Sequence, residues 1–97
     1  DITVYTKVPA DWTTPCLWAW EHPSGTNAFA GWPGEALTAG EDGWYAITVP
    51  GWINSVIINA NEGSVQTTDL RVDAGKDLYV TVVSAEEATV AYEKPAE

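Results

Sequence analysis

The sequence predicts an all-β fold: an immunoglobulin-like antiparallel β-sandwich of seven to eight short strands. Three observations predict it. Apolar and polar residues alternate in several short runs, as on a sheet with one buried face. Turn signals separate those runs: Glu41-Asp42-Gly43, Pro50-Gly51, Asn61-Glu62-Gly63 and Asp73-Ala74-Gly75. No segment holds a 3.6-residue period for long.

The alternation is clearest in Ile2–Val8 (ITVYTKV), Trp44–Val49 (WYAITV) and Asp77–Val83 (DLYVTVV). Shorter strands are expected at Cys16–Trp20 (CLWAW), Ser55–Ala60 (SVIINA), Val65–Leu70 (VQTTDL) and Ala88–Glu93 (ATVAYE). β-branched and aromatic residues fill these runs, as a pleated, half-buried surface favours. Glu35–Thr38 (EALT) has the composition of one helical turn. The inward positions are read as Val4, Val8, Leu17, Tyr45, Ile47, Val49, Val56, Ile58, Leu78, Val80, Val82, Val90 and Tyr92.

A chain of 97 residues makes one domain with a modest core. Residues 1–93 are read as the module. Residues 94–97 are read as the start of a linker, because Glu93–Glu97 (EKPAE) is polar and contains a proline. The module is therefore expected as a monomeric bead tethered in a larger multidomain protein.

The formal net charge is −10, from 14 acidic and 4 basic residues. Such a chain repels phosphate backbones and anionic lipid, so neither nucleic acid nor a membrane is an expected partner. A neutral partner suits that balance better. Cys16 is alone, which excludes a disulfide within the chain and reads as a small buried hydrophobe.

The sequence argues against an enzyme. Its one His (His22) and one Cys (Cys16) lack an evident activating cation. The carboxylate pairs Glu41/Asp42 and Glu86/Glu87 sit in expected turns, where they are solvated. No spacing resembles a calcium loop or a zinc site, and no glycine-rich turn leads into a phosphate-cradling helix. No cofactor is implied.

Six tryptophans are far more than a small core needs. Indoles are large, are rarely fully buried and carry an N–H that wants a partner. Residues two apart on a strand share a face, so Cys16, Trp18 and Trp20 share one and Leu17 and Ala19 the other. Leu17 and Ala19 are the natural core pair, which puts two indoles outside, roughly 7 Å apart along the strand. Trp32-Pro33-Gly34 adds a third ring on a loop that proline stiffens and glycine turns.

Pyranose rings have apolar C–H faces, and covering roughly 40 Å² of such surface on an indole is worth about 1 kcal/mol. Asn59–Asp69 (NANEGSVQTTD) supplies the hydrogen-bonding groups that would orient a sugar, Asn61 and Gln66 among them. Asn61 reads equally well as a turn residue. Trp12, Trp44 and Trp52 are read as packing at the ends of the sandwich.

The chain resembles the starch-binding modules of carbohydrate-binding family 26, which are appended to bacterial α-amylases and other starch-degrading proteins. The resemblance rests on the order of CLWAW, Trp32-Pro33-Gly34, Gly43-Trp44-Tyr45 and VIINANEGSVQTTDL (Val56–Leu70), framed by ITVYTKVPADW and VAYEKP. It implies a β-sandwich that binds α-1,4-glucan through Trp18, Trp20 and Trp32, with Gln66 as a hydrogen-bonding partner. It also implies a secreted or cell-surface location. Two departures stand out. Cys16 occupies a strand position where the family often has a third aromatic, and Leu37 stands where a Met often follows the Pro-Gly turn. The competing function is a structural spacer or adhesion domain of a multidomain surface protein.

Overall fold

The computed structural model describes residues 1–95. The far end of the expected 94–97 linker, residues 96–97, lies outside the described residues. Among the described residues, eleven strands form two packed sheets. The longer ones are β1 (Ile2–Lys7), β2 (Cys16–Glu21), β6 (Tyr45–Val49), β7 (Ser55–Ala60), β10 (Leu78–Ser84) and β11 (Glu87–Ala91). Two-residue strands complete the set: β3 (Thr26–Asn27), β4 (Glu35–Ala36), β5 (Thr38–Ala39), β8 (Val65–Gln66) and β9 (Leu70–Arg71).

Sheet one runs β11-β10-β1-β6-β5. Sheet two runs β3-β2-β7-β8, with β4 also on β2 and β9 also on β7. The sandwich expected from alternation is therefore present, with one exception to its antiparallel character. β1 and β10 pair in parallel, Val4 opposite Leu78 and Tyr5 opposite Tyr79. A parallel pair needs a long crossover, and here nearly the whole chain lies between its two strands.

Between the sheets lies one core built from the inward residues of both. Leu17, Val56 and Ile58 of sheet two meet Val4, Leu78 and Val80 of sheet one, all fully buried. Val8, Tyr45, Ile47 and Val90 pack on its margin. Tyr92 departs from expectation: it is exposed, and its hydroxyl accepts a hydrogen bond from the Asp73 amide. Ile53 and Val72 enter the core from outside the recognised runs, since an isolated inward residue in a connection leaves no alternation to read.

Two other local expectations are corrected. Glu35–Thr38 is not a helical turn; it forms β4 and the start of β5, because pairing with β2 and β6 satisfies its backbone better than one unsupported turn would. Val65–Leu70 is split into β8 and β9. Between them Thr67 is buried, its hydroxyl accepting from the Ile58 amide and donating to the Thr68 carbonyl. Leu37 lies in the core, so the change from Met keeps an apolar side chain there.

The three tryptophans read as end packing take three different places. Trp12 is part of the core. Trp44 is buried on the outer face of sheet one, edge-on to Tyr79 with centroids 5.5 Å apart and Lys7 Nζ 4.8 Å from its ring centroid. Trp52 is 44% exposed, because the Pro50–Asn54 connection turns it away from both sheets.

Candidate functional site

The outer face of sheet two is built from the residues of β2 and β7 that do not face the core. Leu17 and Ala19 are fully buried inward, so Trp18 and Trp20 point outward as the alternation requires. Register pairs Trp20 with Ser55, Trp18 with Ile57 and Cys16 with Asn59. Pairing across the next strands puts Gln66 beside Asn59, Arg71 beside Ser55 and Asn27 beside Trp20. All nine of these side chains share that outer face or its margins, because paired residues point the same way.

Trp32 reaches this face from the loop between β3 and β4. Its indole meets that of Trp18 with centroids 6.1 Å apart and planes at 65°. Phe29 backs Trp18 from the same loop, at 6.3 Å and 39°. Trp32 itself stays 43% exposed. The two indoles thus form an open corner rather than a flat row.

Three contacts set the position of the Trp32 loop. Gly34 has φ +94, and a Cβ there would lie 2.0 Å from the Leu17 carbonyl oxygen, so only glycine lets the loop lie this close to β2. The Asn59 amide donates to the Pro33 carbonyl at 3.0 Å and ties the loop to β7. Under the ring is Gly63, φ +82, where a Cβ would come within 2.5 Å of Trp32 Nε1. The indole therefore rests on bare backbone of the β7–β8 turn. The Trp32–Pro33 peptide bond is cis.

Trp20 lines a shallow groove of about 290 Å³ with Trp18, Gly25, Asn27, Ile57 and Asp69. Asn27 and Asp69 bring polar groups to the edge of that groove. Neither was legible as a site residue. The Ser24-Gly25 dipeptide marks a turn after Trp20, and the returning two-residue strand β3 is what sets Asn27 beside the ring.

Gln66 is exposed, and the pairing of Asn59 with Gln66 sets it beside the loop that Asn59 holds. Among the described residues its side-chain amide has no partner. Asn61 is different. Its carbonyl oxygen accepts from Thr13 N at 2.8 Å and Thr13 Oγ1 at 2.6 Å, and its amide donates to the Asp11 carbonyl at 3.2 Å. At φ +55 it shapes the turn that carries Gly63. The structure thus spends its polar atoms on holding the turn to the segment before β2.

Cys16 occupies the third outward position of β2, where it is buried and its thiol donates to the Thr14 carbonyl at 3.6 Å. Burial pushes the thiol pKa up from its ordinary value, which disfavours the nucleophilic thiolate. His22 is exposed beyond the strand, where Asn54 clamps its backbone on both sides. Among the described residues, no three His, Cys, Asp or Glu side chains gather as metal ligands would.

Comparison with known proteins places the chain in a family. The family model described as Starch-binding module 26 matches residues 4–72. An alpha-amylase of Butyrivibrio fibrisolvens is 32% identical over 82 residues, 80% of this chain and 8% of the amylase. The chain therefore spans a small part of that relative. The CBMbc structure (family CBM26) from Eubacterium rectale Amy13K, in complex with maltoheptaose, superposes with a TM-score of 0.69 at 25% identity. It covers 97% of this chain and 49% of that one. The CBM26 structure from a Bacillus halodurans amylase, in complex with maltose, shares the fold with a TM-score of 0.53 at 19% identity, over 98% of this chain and all of that one. The matched span of 4–72 contains β2, the Trp32 loop and the β7–β8 turn, and the chain belongs to the non-catalytic starch-binding modules of family 26.

Proposed function

We propose that this module binds α-1,4-glucan across the outer face of sheet two. The observation that carries the reading is the 65° angle between Trp18 and Trp32. An α-1,4-linked chain curves, so successive sugars present their apolar faces at an angle. A flat β-1,4 chain would need coplanar rings. The relatives in complex with maltoheptaose and maltose support the same ligand class.

In this reading Trp32 and Trp18 receive successive pyranose rings, and Trp20 extends the platform along its groove. Gln66 hydrogen-bonds sugar hydroxyls beside the Trp32 loop, and Asn27 and Asp69 do so beside Trp20. Asn61 supports the turn beneath Trp32 instead of touching ligand. A few stacked sugars are worth about −4 to −8 kcal/mol, which is millimolar to micromolar affinity. Repetition or tethering within a larger protein raises that through avidity. The module would then hold an amylase-type protein on starch outside the cell, where the polymer lies.

Titration with maltoheptaose, followed by tryptophan fluorescence and calorimetry, tests this. Binding of maltoheptaose but not cellohexaose is expected, with Trp32→Ala weakening it roughly tenfold or more, as loss of one stacked ring implies. Equal binding of the two oligosaccharides would remove the angular argument. Unchanged affinity in Trp32→Ala would remove that ring from the site.

A further inference from the structure

The opposite side of the sandwich carries a second set of aromatic rings. Register across sheet one places Ala91, Tyr79, Tyr5, Ala46 and Thr38 in one row. Val4, Val80 and Ile47 face the core, so this row faces out. At its centre Tyr5 and Tyr79 stack, centroids 4.6 Å apart and planes within 7°. Each ring covers one face of the other. The remaining face of Tyr5 looks over Ala46, whose methyl leaves a trough.

That trough is a cavity of about 260 Å³ lined by Tyr5, Ala46, Trp44, Tyr79, Gly40, Glu41 and Lys94. The small Ala46 side chain keeps it open. Trp44 closes it beside Tyr79. Glu41 and Lys94 are exposed and place an acceptor and a donor at its rim. Among the described residues, neither tyrosine hydroxyl has a hydrogen-bond partner. An aromatic wall with a few polar groups at its edge is what a pyranose requires. The strongly negative chain disfavours an anionic occupant.

We propose that this trough is a second carbohydrate site, in which a pyranose unit of a neutral glucan lies against the open face of Tyr5 over Ala46, its hydroxyls bonded to Glu41, Lys94 and the tyrosine hydroxyls. The choice of α-glucan as ligand rests on the starch-binding reading of the other face. With both sites filled, one module joins two glucan chains on opposite sides of its sandwich. One stacked sugar gives a dissociation constant on the order of 1 mM or weaker, so this is the weaker site.

The test is a maltoheptaose titration of isotope-labelled protein, with backbone amide shifts read on both faces. The wild type should show two groups of amides with different half-saturation, one around Trp18 and Trp32 and one around Tyr5, Ala46 and Tyr79. Trp32→Ala should move the first half-saturation roughly tenfold or more and leave the second within about twofold. Ala46→Leu fills the trough from an outward position and should do the reverse. Tyr79→Ala should abolish the second group of shifts and leave the first; should that variant unfold, Ala46→Leu still decides the matter. Silence at Tyr5 and Ala46 while the Trp18 group saturates overturns the second site and leaves the first intact. Silence around Trp18 and Trp32 in the wild type overturns the starch-binding reading itself. Shifts at Tyr5 that follow protein concentration without sugar put a second copy of the chain there, and overturn the proposal.

Discussion

The two outer faces of this sandwich hold aromatic rings by different means. On sheet one, Tyr5 and Tyr79 sit opposite each other on paired strands, and strand register alone makes their rings parallel. On sheet two, Trp18 is on a strand and Trp32 on a loop, and the rings meet at 65°. Strand neighbours share one direction, so a sheet by itself produces parallel side chains. An angled pair needs a ring delivered from elsewhere. The corner on sheet two therefore depends on the loop's anchors, whereas the pair on sheet one depends only on β1 and β10. Substitutions at the anchors should separate the two faces.

The largest effect is expected at Gly34. Gly34→Ala adds a Cβ 2.0 Å from a backbone carbonyl at a φ of +94, so the loop must lift or β2 must shift. A loss of roughly 3 kcal/mol or more is expected, together with loss of maltoheptaose binding. Chemical denaturation and titration measure both. Near-native stability with full affinity would show that the loop does not need its close approach to Leu17.

Asn61 comes next. Asn61→Gly keeps the positive φ and removes the bonds to Thr13 and Asp11, so it isolates the side chain's contribution. About 1–2 kcal/mol of stability should be lost, since these bonds are partly exposed. Affinity should fall only modestly, through a looser turn under Trp32. A loss of affinity as large as that of Trp32→Ala, with stability unchanged, would make Asn61 a ligand contact after all.

The core strands and the outward placement of Trp18 and Trp20 are legible in the residues alone, because alternation is strong where one face is fully buried, as at Leu17 and Ala19. Structure is not legible where pairing, and not pattern, decides it. β3, β4 and β5 are two residues long and polar or small, so they carry no period. The place of Trp44 is hidden for a related reason. A ring that is buried on the outside of a sheet has the composition of core, and only register shows that it shares a side with Tyr5. The angle between Trp18 and Trp32 was not legible at all, since it depends on how close Gly34 lets the loop come. Asn61 illustrates the remaining gap: an amide in a turn has the same letters whether it bonds a sugar or the chain.

Gly63 distinguishes scaffold from site. A Cβ there meets the Trp32 indole at 2.5 Å, but that ring is the exposed end of a side chain and can swing aside. The cost of Gly63→Ala should therefore be the strain of a positive φ, about 1 kcal/mol. Its main effect should be on the corner: displacing Trp32 changes its angle to Trp18 and weakens maltoheptaose binding roughly tenfold, while the Tyr5 face keeps its shifts. Affinity retained within about twofold would mean that Trp32 is free to choose its own position.

The smallest expected effect reads the loop's cover chemically. Cys16 lies on the face of sheet two beside Pro33, and burial raises its thiol pKa. A raised folded-state pKa means the fold favours the neutral thiol. Its contribution to stability is intact below the ordinary thiol pKa and is lost as pH rises through the folded one. Net stability at neutral pH is thus untouched, but the thiolate is scarce and alkylation by iodoacetamide should be several-fold slower than in urea. Lifting the loop with Gly34→Ala should expose the sulfur and speed the reaction at constant pH, whereas Ala46→Leu on the other sheet should leave the rate alone. Equal rates in Gly34→Ala and wild type would mean that Cys16 is covered by β7 alone, and that the loop contributes its ring without sealing the strand beneath it.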